Sequence, residues 1–468
     1  VTDNFVAALT VELGADKVLT DATTLDERRH DYWVASHLDD LQGRAAPRPR
    51  CVVRPATVDD VVATVNACRA ASVAIVPFGL GSGVCGGVIA HPDRVLLDLS
   101  SMHRTRRIDT VNLLASFDAG KRGSDAEDEV AAHGLTIGHW PQSMAVSSVG
   151  GWVATRASGQ FSTANGNIED IAYSIEAVLP DGSVIDTGKA PRASAGPDLR
   201  HLLLGSEGTL GVITGVTLSV RRKPEVQDYS AFSTSSMNQG FEFQRELIQR
   251  GWQPPVVRQY DAIEAQRSFP AEARADHGVL IMVHEGPAER VAAELAASDA
   301  LAKTVGLQTL PTTATTHWLD HRNTVPHWRS FLEKRIVVDT VEVSAPWNRI
   351  GAIYTGVVAA LGEVPDILNA SAHSSHAYRS GLNLYFSFAV RPEDPTDMAE
   401  RYRTCWQRII DTTAALGGGI AHHHGIGRVR ADYLHHDLGA AGIAALRRVK
   451  AALDPAGIMN PGVLLPDD

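Results

Sequence analysis

Phe5, Leu9 and Leu13 recur at intervals of four, the period of one helix face, and predict a helical lead-in that gives way to the polar run 39–43 and to a proline joint at Pro47 and Pro49. Beyond that joint the apolar runs shorten. Residues 51–55 and 73–77 read as strands, and 59–71 as a helix with Val61, Val62, Val65 and Cys68 on its apolar side, which together make a small α/β unit. The run 174–179, the turn Pro180-Asp181-Gly182 and the pair Val184-Ile185 predict a hairpin, because Pro-Asp-Gly sets turn dihedrals directly. Another strand is predicted at 216–220 and stops at the charged cluster Arg221, Arg222, Lys223.

From 225 to 415 longer mixed helical and strand segments follow, with few glycine runs. Within them Leu382, Leu384, Phe386 and Phe388 alternate with Asn383, Tyr385 and Ser387, so a strand here buries one face and turns Tyr385 to the other. Dense punctuation returns in Gly417 to Gly425, a helix is predicted over 442–453, and turns at 454–457 and 460–462 order the tail. The expected division is a helical segment 1–45, a cofactor domain 46–224, a substrate-covering domain 225–415, and a C-terminal segment 416–468 that returns to the cofactor.

At 468 residues the chain is too long for one ordinary core and long enough to enclose a cofactor. Its 43 basic and 54 acidic residues give a net charge of -11 with no long basic run, which argues against nucleic acid and means that an anionic substrate needs local arginines. Cys51, Cys68, Cys85 and Cys405 have no C-x-x-C spacing, as suits a reduced compartment. Residues 70–90 are uncharged and of membrane-spanning length, but five glycines and Pro77 make a poor lipid-facing helix. The acidic start, Val1 to Phe5, lacks an apolar signal core, so a soluble cytoplasmic protein is expected, with at most peripheral membrane contact.

The stretch Pro77 to Gly87 changes the picture most. Five glycines in eleven residues follow an apolar strand and strip side chains from the backbone, so successive N–H groups can approach a phosphate as a nest. Gly81, Gly83 and Gly86 fit a Rossmann G-x-G-x-x-G, but only residues 87–93 separate the last glycines from the next strand, and no crossover helix fits there. Two further blocks, 147–159 and 203–214, are similarly rich in small residues and could pass beside a flat ring system.

Taken with the tail Asp454 to Gly462, these blocks resemble the FAD-binding fold of the vanillyl-alcohol-oxidase type, an α+β fold of two FAD-binding subdomains with an α+β cap. Within it Gly150 to Gly159, Gly166 to Asp170, Ser344 to Trp347, Leu384 to Phe386 and His422 to Gly427 resemble the alkyldihydroxyacetonephosphate synthase family. The resemblance implies non-covalent FAD held by Pro77, Phe78, Gly79, Leu80, Gly81, Ser82 and Gly83; by Gln142, Ser143, Met144, Ala145, Val146, Ser147 and Ser148; by Thr155, Arg156, Ala157 and Ser158; and by Glu207, Gly208, Thr209, Leu210, Gly211, Val212 and Ile213. It also implies that Tyr385 is the acid/base, that His422, His423 and His424 are needed for activity, that Arg329 binds a substrate phosphate, that Arg258 lies in the active region, and that the protein is a homodimer. The implied reaction exchanges the acyl group of an acyl-dihydroxyacetone phosphate for a fatty alcohol through a flavin N5 adduct. The same fold also hosts dehydrogenases and oxidases of 2-hydroxy acids and phenolic alcohols, and a flavin-storage or interaction protein is a third reading.

A phenol with a pKa near about 10 is a poor base at neutral pH, so Tyr385 is expected to need neighbouring positive charge, from protonated histidines and an arginine. Three consecutive histidines also suit a metal, but no Cys, Asp or Glu lies within a few residues to complete a ligand set, and no metal is expected.

Overall fold

The strands Cys51–Val53, Arg94–Asp98 and Ala74–Phe78 pair in parallel, and Val18–Leu19 closes one edge antiparallel to Cys51–Val53. The computed structural model describes residues 3–188 and 190–466; Val1 and Thr2 of the acidic start lie outside them. Helix Asn4–Leu13 forms as expected and buries Leu9 and Leu13, yet the lead-in is not all helical, since two residues of strand are too few to show an alternation. Helix Val58–Ala71 is started by a Thr57 and Asp60 capping box and buries Val61, Thr64, Val65 and Cys68. No helix joins Phe78 to Arg94: the glycine loop 79–93 carries the parallel crossover itself.

A five-stranded antiparallel sheet follows, in the order Thr105–Asp109, Leu114–Asp118, Val212–Ser219, Ala172–Val178, Val184–Asp186. The expected hairpin is its last pair, closed by Gly182 N–H to the Leu179 carbonyl at 2.9 Å. The core beneath both sheets runs through Val65, Ile75, Leu97, Phe117, Val153, Ile175 and Val216.

The second half is built on a seven-stranded sheet, in which Val256–Tyr260, Ile367–Ser374, Gly381–Val390 and Val337–Pro346 are successive neighbours. Leu382, Leu384, Phe386 and Phe388 share a core with Ile353 and Val357 of helix Trp347–Gly362 and with Trp406 and Ile409 of helix Met398–Ala415. The alternating residues Tyr385 and Ser387 line a cavity instead. The C-terminal segment runs back to the first sheet, where Ile75 N–H donates to Ile458 O at 2.7 Å and Asn460 N–H to Ile75 O at 2.8 Å. Its helix, His435–Leu453, begins earlier than predicted because it is interrupted at Gly439, whose φ of 65° breaks the apolar period. Among the described residues no helix is long and apolar enough to cross a membrane.

Candidate active site

A cavity of about 1020 Å³ lies between the three small-residue blocks and the seven-stranded sheet. Pro77 to Gly83 line it, as do Gln142, Ser143, Val146, Ser147, Ser148, Thr155, Ala157, Ser158, Glu207, Gly208, Gly211 and Ile213. Met144, Ala145, Arg156, Thr209, Leu210 and Val212 do not: their backbones belong to the same blocks, but Met144 and Val212 turn into the core, and Arg156 pairs with Glu169. Among the described residues none of the N–H groups of Gly79, Leu80, Gly81, Ser82 and Gly83 donates to a protein acceptor. Five consecutive amides without a protein acceptor, in residues that line the cavity, can serve a diphosphate, so the residues present fit FAD.

The opposite wall is a transverse row of the sheet. Tyr260 stands opposite His373, His373 opposite Tyr385, and Tyr385 opposite Glu342, across four neighbouring strands. The rings of Tyr260 and His373 stack at 5.2 Å and those of His373 and Tyr385 at 4.6 Å, while His373 Nδ1 meets Glu264 at 3.0 Å. Arg258 donates from Nε to the Tyr260 hydroxyl at 3.0 Å and lines the cavity.

The histidine loop crosses this row and is held by two buried carboxylates. Glu342 accepts the N–H groups of His424 at 2.9 Å and His423 at 3.4 Å, and its other oxygen meets His424 Nδ1 at 2.7 Å. Glu207, from the third small-residue block, accepts those of Ile426 at 2.7 Å and Gly427 at 2.9 Å. Arg430, fully buried, donates to Glu342 at 2.7 Å and to Gly425 O at 2.7 Å. Burial alone would raise the Glu342 carboxyl, but Arg430 and His424 outweigh it and hold it well below the usual range. Glu207 has no such partner in contact, and burial pushes it up to about 7.

The Tyr385 hydroxyl is hydrogen-bonded to Nε2 of His423. Of the charges expected to make it a base only Arg258 is at hand, and its lowering of the phenol is outweighed. Burial pushes the phenol up, and Glu342 adds to the rise; burial also brings His422 down to about 4 and His423 well below its ordinary range. His422 and His423 are therefore neutral, and no phenolate is stabilised by them. His423 and His424 line the cavity, whereas His422 lies behind them.

His376 comes within reach of this cluster, so that nitrogens of His376, His422 and His423 all lie within 4.8 Å of one another. The expectation that nothing completes a ligand set rested on chain neighbours and missed this third imidazole. The inward nitrogens are engaged otherwise: His376 Nδ1 with Ser162 at 2.6 Å, and Nδ1 of His422 with Nδ1 of His423 at 2.6 Å.

Arg329 is not brought to the cavity. On helix Trp328–Leu332 it is Trp328 that packs inward, and the Arg329 side chain is 80% exposed and paired with Glu333 at 2.8 Å. The arginines that line the cavity are Arg258, Arg267 and Arg322. Glu342, Arg430, His373, His376, Arg267 and Arg322 escaped the sequence reading. A glutamate among valines in Val341-Glu342-Val343 and the His373-x-x-His376-x-Tyr378 spacing were the available signals.

Gly427 sets the approach of the histidine loop to the first glycine loop. At its φ of 55°, a Cβ would stand 2.0 Å from the carbonyl oxygen of Cys85. Gly427→Ala is therefore expected to lower stability by about 1–3 kcal/mol and FAD occupancy with it, measured by the denaturant midpoint and by absorbance at the flavin band relative to protein.

Unpaired loop amides on one side and an antiparallel sheet bearing acid/base groups on the other define a flavin-dependent enzyme with FAD as its cofactor. The chain belongs to the FAD-linked oxidase family: residues 223–464 match the model for the C-terminal domain of FAD linked oxidases, and residues 49–188 match the FAD binding domain. It is 33% identical to the uncharacterized FAD-linked oxidoreductase YgcU of Escherichia coli strain K12, over 97% of this chain and 96% of that one. It is 28% identical to alkyldihydroxyacetonephosphate synthase of Trypanosoma brucei brucei, over 89% of this chain and 73% of that one. A solved structure of alkyldihydroxyacetonephosphate synthase superposes with a TM-score of 0.82 at 23% identity, covering 98% of this chain and 84% of that one. p-Cresol methylhydroxylase superposes with a TM-score of 0.79 at 16% identity, covering 99% and 97%. The vanillyl-alcohol-oxidase type of fold expected from the small-residue blocks is thus the fold of this chain.

Proposed function

We propose that this enzyme, with FAD held non-covalently, takes an anionic substrate against Arg322 and exchanges a proton with it at Tyr385. The finer reading is a transfer like that of alkyldihydroxyacetonephosphate synthase: Tyr385 takes a proton from the carbon beside the carbonyl of an acyl-dihydroxyacetone phosphate as its own hydrogen passes to His423 Nε2, the acyl group leaves as a carboxylate, a fatty alcohol oxygen bonds to that carbon as its hydrogen is lost to solvent, and Tyr385 returns a proton to the carbon. No net electrons move. FAD, when bound, supplies an electron-accepting ring beside which these residues work. The observation that carries the proposal is Tyr385 hydrogen-bonded to a neutral histidine and lining one cavity with the amide cradle.

The anion site is read from Arg322, which replaces Arg329 in this role. One of its nitrogens donates to Leu319 O at 2.7 Å, and its Nε is buried without a partner among the described residues. Burial lowers its pKa against the opposing pull of Glu285 and Asp320, so a phosphate or carboxylate in the cavity would offset the remaining cost of burying its charge. Arg322→Met is expected to raise KM by about 10- to 100-fold, the loss of one hydrogen-bonded charge, whereas Arg329→Met leaves KM within about twofold as a surface pair does. Steady-state kinetics of both variants check this.

A second reading, dehydrogenation of a small 2-hydroxy acid, is favoured by Arg258, Arg267, His317 and His321 beside Arg322, a lining suited to carboxylates. Anaerobic mixing with glycolate, other 2-hydroxy acids, 4-alkylphenols, and acyl-dihydroxyacetone phosphate with hexadecanol separates the two. Lasting loss of the yellow colour marks net oxidation. Return of the oxidised spectrum after each turnover marks transfer, and no response to any of them defeats both.

A further inference from the structure

We propose that His422 and Tyr378 conduct the proton handled by Tyr385 to the protein surface, through a line of side chains separate from the substrate cavity; this rests on the acid/base reading of Tyr385. The line is continuous. The Tyr385 hydroxyl meets His423 Nε2, His423 Nδ1 meets His422 Nδ1 at 2.6 Å, and His422 Nε2 meets the Tyr378 hydroxyl at 2.6 Å. The Tyr378 hydroxyl in turn donates to Asn167 Oδ1 at 3.3 Å. Neither His422 nor Tyr378 lines the cavity, and Tyr378 is partly exposed beside exposed Arg379. The plane of His422 is held by stacking on His376 at 5.0 Å, itself tied to Ser162.

The end of the line dictates the hydrogens along it. Asn167 Oδ1 can only accept, so Tyr378 donates to it and must accept from Nε2–H of His422. His422 Nδ1 then accepts, His423 Nδ1 carries the hydrogen, and His423 Nε2 accepts from Tyr385. His423, His422 and Tyr378 each give one hydrogen and take one along the line.

When a substrate C–H bond breaks and its proton bonds to the Tyr385 oxygen, the hydrogen Tyr385 held moves to His423 Nε2. The Nδ1 hydrogen of His423 passes to His422 Nδ1, the Nε2 hydrogen of His422 passes to the Tyr378 oxygen, and the Tyr378 hydrogen passes to water. The substrate keeps the electron pair, and each side chain ends neutral. Reverse flow restores the line when Tyr385 returns a proton. Such a shift avoids the phenolate and imidazolium that burial makes costly here.

The test uses FAD-loaded enzyme. With ¹⁵N-labelled histidine, NMR is expected to show His423 protonated at Nδ1 and His422 at Nε2, with both rings shifted in Tyr378→Phe; the opposite tautomers, or a charged ring, overturn the proposal. Stoichiometric metal whose removal by EDTA abolishes activity also overturns it, because the nitrogens would then be ligands. With acyl-dihydroxyacetone phosphate and hexadecanol, or with glycolate, Tyr378→Phe and His422→Gln are expected to keep FAD and KM while kcat falls on the order of 100-fold. The solvent isotope effect in H2O and D2O mixtures should drop from several protons to one. Wild-type kcat and isotope behaviour in both variants, alongside a dead Tyr385→Phe, sinks the line but leaves Tyr385 as the acid/base. Full turnover by Tyr385→Phe removes the reading beneath it.

Discussion

Tyr385→Phe is expected to purify with its full complement of FAD and to turn over about 10²- to 10⁴-fold more slowly, the range that a positioned acid/base contributes. The substitution is clean because the ring is fixed by contacts that do not involve its hydroxyl. His373 stacks on it at 4.6 Å and is anchored by Glu264, and the strand pairs on both sides with Ile367–Ser374 and Val337–Pro346. Phenylalanine keeps the stack and loses only the bond to His423 Nε2, at a stability cost of about 1 kcal/mol. Turnover with the compounds named above, set against flavin absorbance and the unfolding midpoint, distinguishes lost chemistry from lost structure. Unchanged turnover would take Tyr385 out of the reaction.

Glu342→Ala is expected to cost the most stability of the changes considered and to lower activity as well. It leaves Arg430 charged, buried and unpaired, which costs about 3–5 kcal/mol. It also removes the acceptor of two loop N–H groups and the partner of His424 Nδ1. The loop would then be held mainly by Glu207, and its imidazoles would shift against Tyr385. A displacement of about 1 Å at reacting groups is worth on the order of 100-fold in rate. Replacing both members, Glu342→Met with Arg430→Met, should recover part of the denaturant midpoint by removing the stranded charge, yet none of the rate, because the loop anchor is still missing. Full activity in the double variant would show that the ion pair serves packing alone.

Local pattern carried much of the fold. The period of Phe5, Leu9 and Leu13, the apolar side Val61, Val65 and Cys68, the Pro180-Asp181-Gly182 turn and the alternation from Leu382 to Phe388 each act within a few residues, and each element formed. The missed strand Val18–Leu19 exists only because Val53 and Val52 stand beside it. The bare amides of Gly79 to Gly83 were legible for the same local reason: glycine content is a property of the chain, and a phosphate cradle needs little else.

The chemistry of the opposite wall was decided across the sheet. Register places Tyr260, His373, Tyr385 and Glu342 in one row, although 82 residues separate the loop residue His424 from the carboxylate that accepts its N–H. Burial then reversed the expected charges, since the dielectric around a phenol or an imidazole depends on everything packed over it. Arg329 and Arg322 are equally plausible anion ligands as letters; the helical turn that packs Trp328 inward leaves Arg329 in water, while the chain entering it sets Arg322 half-buried in the cavity wall with its Nε out of solvent. The sequence by itself determined the strands, the turns and the amide cradle, because those follow from neighbours along the chain. Tertiary structure alone decided which ionisable groups meet and what charge they hold, because pairing and desolvation are set by distance in space.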